Sequence, residues 1–259
     1  MSRGMHRFFL PPEACAQEFC PLSESDVRHA QQVLRLKPGD PVQIIDGQGG
    51  VLEGRTQEIQ RRSVTIQVTH RRVQQRPQQR LGLALALLKP KAIDMAMQKA
   101  VELGAEQIWL LQCDRSVARW HSGELKGKMK KWETHLLEAM KQCGQAWKPD
   151  LHAPEPLESW IQAFPSTHRV FYGDLDERME KPTLLEAALE QTYELGCWCV
   201  GPEGDFTPEE QTILRQKGAR PCSLGDLVLR SETAALSGLS VLSQLAYRRT
   251  QHEPWATLH

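Results

Sequence analysis

Hydrophobic residues follow two different rhythms along the chain. Up to about residue 74 they alternate with polar residues, most clearly in SVTIQVTHRRV, which is typical of a half-buried strand. Beyond the polar segment QQRPQQR the apolar runs are continuous, as in LGLALALL, and alternate with helical patterns. Such runs indicate a parallel sheet covered on both faces. The sequence therefore predicts an α/β protein with a small β-rich domain, 1–74, before an α/β domain, 75–259.

Residue preferences at helix ends locate several helices. Ser23, with Asp26 three residues later, is expected to cap a helix in SESDVRHAQQVLRL. Gly104 is expected to end the helix of KAIDMAMQKAVELG. Thr207 and Glu210 have the spacing of a capping box at the start of another helix.

A glycine-rich, acidic turn interrupts the stretch CWCVGPEGDFTPEEQ, directly after a buried-strand pattern. Gly201 and Gly204 permit positive φ and close approach of a ligand. Ligands of parallel α/β sheets bind at the carboxyl ends of strands, which is where this turn lies. The turn contains no basic residue and carries Glu203 and Asp205, so we expect hydroxyl groups, an adenine edge or a cation rather than phosphate. An ordinary tight turn between strand and helix is the alternative.

A second candidate loop lies in SLGDLVLRSETAALSGL. Its apolar residues, in the segment DLVLR, are expected to line a pocket, and Ser231 is expected to cap the helix that follows. Small residues in that helix permit close packing against another backbone. Arg230 stands before the helix at the expected pocket rim, and a structural ion pair is its alternative role.

Charge and cysteine content narrow the possible partners and compartments. The chain holds 32 basic and 32 acidic residues, yet residues 1–80 hold 12 and 8, and the arginine-rich segment 60–80 contains no acid. Such a patch suits binding of a polyanion; the alternative is a solvated pair of strands.

Seven cysteines without a paired framework indicate a reduced, cytoplasmic location. We expect no metal site, because the sequence contains no cluster of metal-ligating residues at a suitable spacing. We also expect no membrane-spanning segment, since no apolar run approaches roughly 20 residues.

The two loop motifs together resemble the RsmE family of SPOUT-class methyltransferases. GPEG is followed about twenty residues later by LGDLVLRSETA, and the resemblance continues through HRFF, HAQQVLRLKPGD and KWETHLLEAMKQCGQAWKP over almost the whole chain. The sequence departs from the family pattern at Asp205, where the family usually has glycine. It also departs at Lys141 and Gln145, which replace an acid and an arginine.

The resemblance implies an activity, a fold and a cofactor. It implies methylation of N3 of a specific uridine in 16S ribosomal RNA of the small ribosomal subunit, with S-adenosylmethionine as methyl donor. It also implies a PUA-like β-barrel ahead of an α/β domain tied in a trefoil knot, and a homodimer. By motif match, the cofactor-binding residues are Gly201, Pro202, Glu203, Gly204, Leu224, Gly225, Val228, Leu229, Glu232 and Thr233.

Catalysis requires a group that stabilises negative charge on the target base. Uridine N3 must lose its proton before it attacks the methyl group, and the charge then spreads to the base oxygens. A nearby guanidinium would stabilise that charge, so Arg230 is the first candidate and Arg7 the second. Arg3, Arg7 and Arg35 are candidate RNA contacts. The sequence identifies no general base.

Two other functions stay open from the sequence. A protein of the same fold could bind RNA or assist ribosome assembly without catalysis. A nucleotide-binding enzyme of another class could use the glycine-rich turn, although the lack of a basic residue in that turn opposes this.

Overall fold

The computed structural model describes residues 5–118, 122–176, 179–249 and 255–257. It divides into two compact units. The first contains Met1–Arg76, Met140–Lys148 and His252–His259, and the second contains Pro77–Ala139 and Pro149–Gln251. The boundary predicted after residue 74 lies two residues before the first division. The domain predicted from the sequence, 75–259, includes the two later segments of the first unit. For Met140–Lys148 the reason is that an amphipathic helix pattern continues through residue 140 without a break.

The first unit is built on a six-stranded sheet with the order β1-β3-β4-β5-β13, in which β2 also pairs with β5. Its strands are β1 (His6–Phe9), β2 (Phe19–Pro21), β3 (Pro41–Ile45), β4 (Gly50–Gln60), β5 (Ser63–Gln74) and β13 (Trp255–Thr257). Helix α1 (Glu24–Arg28) starts at Ser23, whose hydroxyl accepts a hydrogen bond from the Asp26 amide, as predicted, and a π-helical turn (His29–Val33) continues it. Buried side chains of alternating strand positions, among them Ile44 and Ile66, form the core of this unit.

The second unit is a parallel sheet with the order β12-β10-β11-β6-β7-β8, and β9 also pairs with β7. Its strands are β6 (Arg80–Ala86), β7 (Ala105–Gln112), β8 (Asp150–Leu151), β9 (Glu155–Pro156), β10 (Arg169–Gly173), β11 (Leu195–Val200) and β12 (Arg220–Cys222). The helices are α2 (Pro90–Glu102), α3 (Ser122–Cys143), α4 (Leu157–Ala163), α5 (Leu184–Leu189), α6 (Pro208–Gln216) and α7 (Ser231–Arg249). Every residue of β11 is buried, as expected of a central parallel strand. The predicted α/β class is confirmed, while a knot in the chain path stays a prediction. Across the described ranges, no helix has both the length and the apolar character needed to cross a membrane.

The Trp198 indole of strand β11 packs against helix α7. The Trp198 side chain is fully buried, and its Nε1 donates a hydrogen bond to the carbonyl oxygen of Ala234 at 2.9 Å. One turn further along α7, Gly238 packs on the same ring, because positions four residues apart share a helix face. A Cβ atom added at Gly238 would lie 2.3 Å from Trp198 Cε2. Gly238 thus makes room for a tryptophan side chain.

Helix α6 begins with a capping box that also reaches another strand end. Glu210 accepts a hydrogen bond from the Thr207 amide through Oε2, and its own amide donates to the Thr207 hydroxyl, which confirms the predicted box. Its other oxygen, Oε1, accepts from the Asp114 amide at 2.9 Å, just beyond β7. The Glu210 side chain is buried. One carboxylate therefore fixes the helix start and ties it to the chain segment after β7.

Replacing Gly238 by alanine should lower the free energy of unfolding by about 1–3 kcal/mol, because the new methyl group overlaps the buried indole. Chemical denaturation followed by circular dichroism measures this change. Gly127 in α3 is the matched control, since a Cβ there meets no atom within 4 Å. Gly127→Ala should raise stability by up to about 1 kcal/mol, because alanine is the better helix former. Equal effects of the two substitutions would contradict the packing described for Gly238.

Glu210→Gln should cost about 1–3 kcal/mol of unfolding free energy. A glutamine offers only one acceptor oxygen, so one of the two backbone amides that Glu210 binds would lose its partner. Glu209→Gln, at an exposed position in the same helix turn, should change stability by less than about 0.5 kcal/mol. Urea titration of both variants tests this difference, and a Glu210→Gln variant as stable as the control would refute the double role of the carboxylate.

Candidate functional site

A cavity of about 550 Å³ opens at the carboxyl ends of β10, β11 and β12. This volume lies within the range of roughly 300–1,000 Å³ that is usual for small-molecule sites. The two loops singled out in the sequence, 201–205 and 223–230, both line it. The predicted location of the site at the strand ends therefore coincides with the cavity.

The glycine-rich turn has a different backbone conformation from the one predicted. Neither Gly201 nor Gly204 adopts a positive φ, whereas Asp205 does, at 59°. Gly201 lies in a tight space, because a Cβ there would be 3.2 Å from the ring of Phe206. The positive φ at Asp205 explains why glycine is usual at this position in the family that the sequence resembles. Aspartate is among the few other residues that tolerate this region.

The turn is held in place by its own hydrogen bonds and by Arg115, from the segment after β7. The Asp205 amide donates to the Pro202 carbonyl at 2.9 Å, and Asp205 Oδ1 accepts from the Phe206 amide at 2.8 Å. Arg115, which follows β7, donates from Nη1 to the Gly204 carbonyl at 2.8 Å. Burial raises the pKa of the Asp205 carboxyl above its ordinary value, and the nearby Asp174 acts in the same direction. A basic residue therefore does reach this turn, but from a distant part of the sequence.

The second loop presents apolar side chains to the cavity. Leu227, Val228 and Leu229 all line it, although Leu227 and Val228 are 80% and 77% exposed in the isolated chain. Gly225 has a φ of 123°, which a residue with a side chain rarely adopts, and its amide donates to the Ser223 hydroxyl at 3.1 Å. The expectation that this segment lines a pocket is met by the geometry.

The start of helix α7 lies one residue earlier than predicted. The Arg230 carbonyl accepts the first helical hydrogen bond, from the Ala234 amide at 2.8 Å, so Arg230 occupies the capping position and Ser231 the first turn. Within the described residues, the Arg230 side chain forms no hydrogen bond or ion pair. It is exposed at the wall of the cavity, where a bound substrate could meet it.

Most residues predicted to bind a cofactor lie together in this cavity. The lining includes Gly201, Pro202, Glu203, Leu224, Gly225, Val228, Leu229 and Glu232. Gly204 and Thr233 are outside the lining. Gly204 instead supplies the carbonyl that Arg115 binds, and a Cβ there would contact the Arg115 side chain at 3.4 Å.

The sequence reasoning left out several other lining residues, among them Lys89, Asp174 and Trp198. Lys89 follows β6 and Asp174 follows β10, so the rule that ligands bind at strand ends could have selected both. Trp198 is inside β11 and has no comparable signal. The lining also includes Cys222, whose pKa burial raises to about 12, so its thiol stays protonated and is no nucleophile at neutral pH.

The predicted RNA contacts belong to the first unit. The Arg7 guanidinium donates to Gln43 Oε1 at 2.7 Å and to the carbonyls of Lys141 and Gln142, at 3.2 and 3.0 Å. Arg35 is exposed and has a positive φ of 53°, and Arg3 falls outside the described residues.

One departure from the family pattern has a local explanation. Lys141, in place of the family's acid, lies 3.3 Å from Asp26 Oδ1 in a mostly buried ion pair. In the described part of the chain, no three His, Cys, Asp or Glu side chains group as metal ligands would.

Two family models match the chain. The model described as an RNA methyltransferase domain matches residues 74–243, and the model described as an RNA methyltransferase PUA domain matches residues 22–69. The first match alone covers well over half of the sequence.

Curated relatives carry one common name. The chain is 27% identical to the ribosomal RNA small subunit methyltransferase E of Synechocystis sp. over 245 residues, which is 93% of this chain and 78% of that one. It is 32% identical to the enzyme of the same name from Mesomycoplasma hyopneumoniae over 163 residues, 62% of this chain and 67% of the other.

Solved structures of similar fold include two with a bound cofactor. A putative methyltransferase from Legionella pneumophila in complex with SAM superposes with a TM-score of 0.83, at 25% identity, covering 94% of this chain and 98% of that one. The ribosomal RNA small subunit methyltransferase E from Neisseria gonorrhoeae bound to S-adenosyl methionine also gives 0.83, at 21% identity, covering 93% and 98%. The family model and the curated relatives confirm the predicted family: the chain belongs to the RNA methyltransferase family that includes the ribosomal RNA small subunit methyltransferases E.

Proposed function

We propose that this protein methylates N3 of a specific uridine in 16S ribosomal RNA of the small ribosomal subunit, with S-adenosylmethionine as the methyl donor. The observation that carries the proposal is the cavity at the strand ends, which both loop motifs of the resemblance line together. The names of the relatives support ribosomal RNA of the small subunit as the substrate. The identity of the base and of the attacked nitrogen rests on the family resemblance.

The cavity suits a nucleoside with a positively charged sulfur. Leu224, Val228 and Leu229 offer apolar surface for an adenine ring, and Glu203 and Asp205 offer acceptors for hydroxyl or cationic groups. The cofactor supplies a methyl group that is bound to a positively charged sulfur. The rest of the cofactor leaves as a neutral thioether. The role of the protein is to hold the base and the methyl group in line. In the best cases such positioning lowers the activation free energy by about 7–11 kcal/mol.

Arg230 is the proposed catalytic residue. Its guanidinium stands at the cavity wall without an ion-pair partner among the described residues, so its charge remains available to the substrate. When uridine N3 loses its proton, the negative charge on the base oxygens would be stabilised by this fixed cation. Arg7, on β1 of the first unit, is the second candidate. Its side chain also binds the Lys141 and Gln142 carbonyls in the last turn of α3.

The first unit is proposed to bind the RNA backbone through Arg3, Arg7 and Arg35. Arg35 is exposed, and among the described residues Arg7 Nη2 has no hydrogen-bond acceptor. Phosphate contacts of this kind would make RNA binding weaken steeply with salt. The target uridine must leave its base pair to expose N3, so irregular or single-stranded RNA is the expected substrate.

We further propose a homodimer that works in the cytoplasm. Leu227 and Val228 are apolar and strongly exposed in the single chain, and a second copy that covers them would bury this surface. All seven cysteines are free thiols, which suits a reducing compartment.

Methyl transfer onto isolated small subunits tests the proposed function. Subunits from cells that lack the protein should accept one radiolabelled methyl group, and mass spectrometry of the digested RNA should find 3-methyluridine. Excess S-adenosylhomocysteine should suppress the transfer and provides the control. Binding to the subunits without transfer would instead support a non-catalytic RNA-binding or assembly role.

Arg230→Ala should lower the rate of methyl transfer by roughly 10²- to 10³-fold, the usual effect of removing one group that stabilises developing charge. The Kd for S-adenosylhomocysteine, measured by calorimetry, should change far less. Arg248→Ala, at an exposed position near the end of the same helix, is the matched control and should leave both quantities unchanged. Parallel losses in rate and cofactor binding would assign Arg230 a structural role instead.

A further inference from the structure

Two exposed lysines lie one turn apart on helix α3, in the part of it that belongs to the second unit. Lys126 and Lys130 are four residues apart, so they share one face of the helix with Gly127. The opposite face carries the buried Trp132, whose Nε1 donates to Asp94 Oδ1 of α2 at 2.9 Å. The two lysines therefore point away from the core of this unit.

The other two lysines in these turns of α3 have acidic partners. Lys128 Nζ lies 3.3 Å from Glu124 Oε2, one turn earlier in the same helix. Lys131 Nζ lies 2.9 Å from Asp94 Oδ2 of α2. The nearby carboxylates are thus engaged by these two lysines.

The Lys126 and Lys130 side chains have no such partner. Across the ranges that the structure describes, neither forms an ion pair or a hydrogen bond, and the exposed Glu133 on the next turn pairs with neither. Like charges four residues apart destabilise a helix. An anionic partner from outside the chain would remove this repulsion.

The exposed face also carries glycines that packing does not require. A Cβ atom at Gly123 or Gly127 would meet no described atom within 4 Å, although alanine is the better helix former. No side chain therefore covers the helix backbone next to the two lysines. Neither the glycines nor the lysine pair stabilises the single chain, whereas both leave room and charge for a polyanion.

We propose that the basic face of α3, formed by Lys126, Gly127 and Lys130, binds the phosphate backbone of the RNA substrate. The two lysines are about 6 Å apart along the helix axis, so phosphates of one strand can contact both. The inference rests on the proposed function, since RNA of the small subunit is the polyanion concerned. It adds an RNA contact on the second unit, and neither lysine lines the cofactor cavity.

The salt dependence of binding to isolated small subunits, measured with the full chain at fixed magnesium, tests the proposal. The plot of log K against log salt should become shallower by about 0.7–0.9 for Lys126→Gln or Lys130→Gln, and by about 1.4–1.8 for both together. The double variant should bind roughly 10- to 60-fold more weakly at 0.1 M salt. Lys217→Gln removes an exposed lysine just after α6 and is the matched control, which should change neither quantity.

The outcomes separate the possible failures. Wild-type affinity and salt dependence in the double variant would overturn the proposal, and so would an equal loss in Lys217→Gln, which would reflect net charge alone. All variants should keep the wild-type Kd for S-adenosylhomocysteine; a joint loss of cofactor and RNA binding would assign the lysines to the fold and also overturn it. If the wild-type protein did not bind small subunits, the proposed function itself would fail and this inference with it.

Discussion

The packing of one indole against one helix controls the geometry of the site. Trp198 lies at the centre of the parallel sheet, fills the space left by Gly238 and binds the Ala234 carbonyl. The loop after its strand is the glycine-rich turn, and the helix that it contacts begins at Ser231, directly after Arg230. Both lining loops therefore take their positions from the same contact. Loops that line a cavity keep a defined geometry when rigid helices and strands anchor them.

One of the two loops is fixed by hydrogen bonds, whereas the other exposes apolar side chains. The turn at 201–205 is fixed by Arg115 and by the hydrogen bond of Asp205 to the Phe206 amide, while Glu210 holds the following helix to the segment after β7. The opposite loop leaves Leu227 and Val228 mostly exposed. Its apolar surface has little to bury it within one chain, so a ligand or a second copy is the natural cover. The cavity thus pairs a pre-formed polar wall with an apolar wall that binding would complete.

Sequence patterns predicted the class of the second unit, because continuous apolar runs have few other solutions than a buried parallel sheet. They also located both loops, since capping residues and glycines are local signals. The patterns failed where distant segments meet. Asp174 and Lys89 each follow a strand, but this position alone does not show that they line the same cavity as the turn. The contact between Trp198 and Gly238 likewise joins positions forty residues apart. The segment Met140–Lys148 belongs to the first unit because of tertiary contacts, which the helix periodicity of the sequence does not reveal.

The central claim is that the loops at the ends of β11 and β12 together enclose the cofactor. A crystal structure of the protein with S-adenosylhomocysteine tests it most directly. The ligand should lie between the turn at 201–205 and the apolar loop at 223–230, in contact with both. Density for the ligand elsewhere on the chain, with these two loops left without contact to it, would contradict the claim.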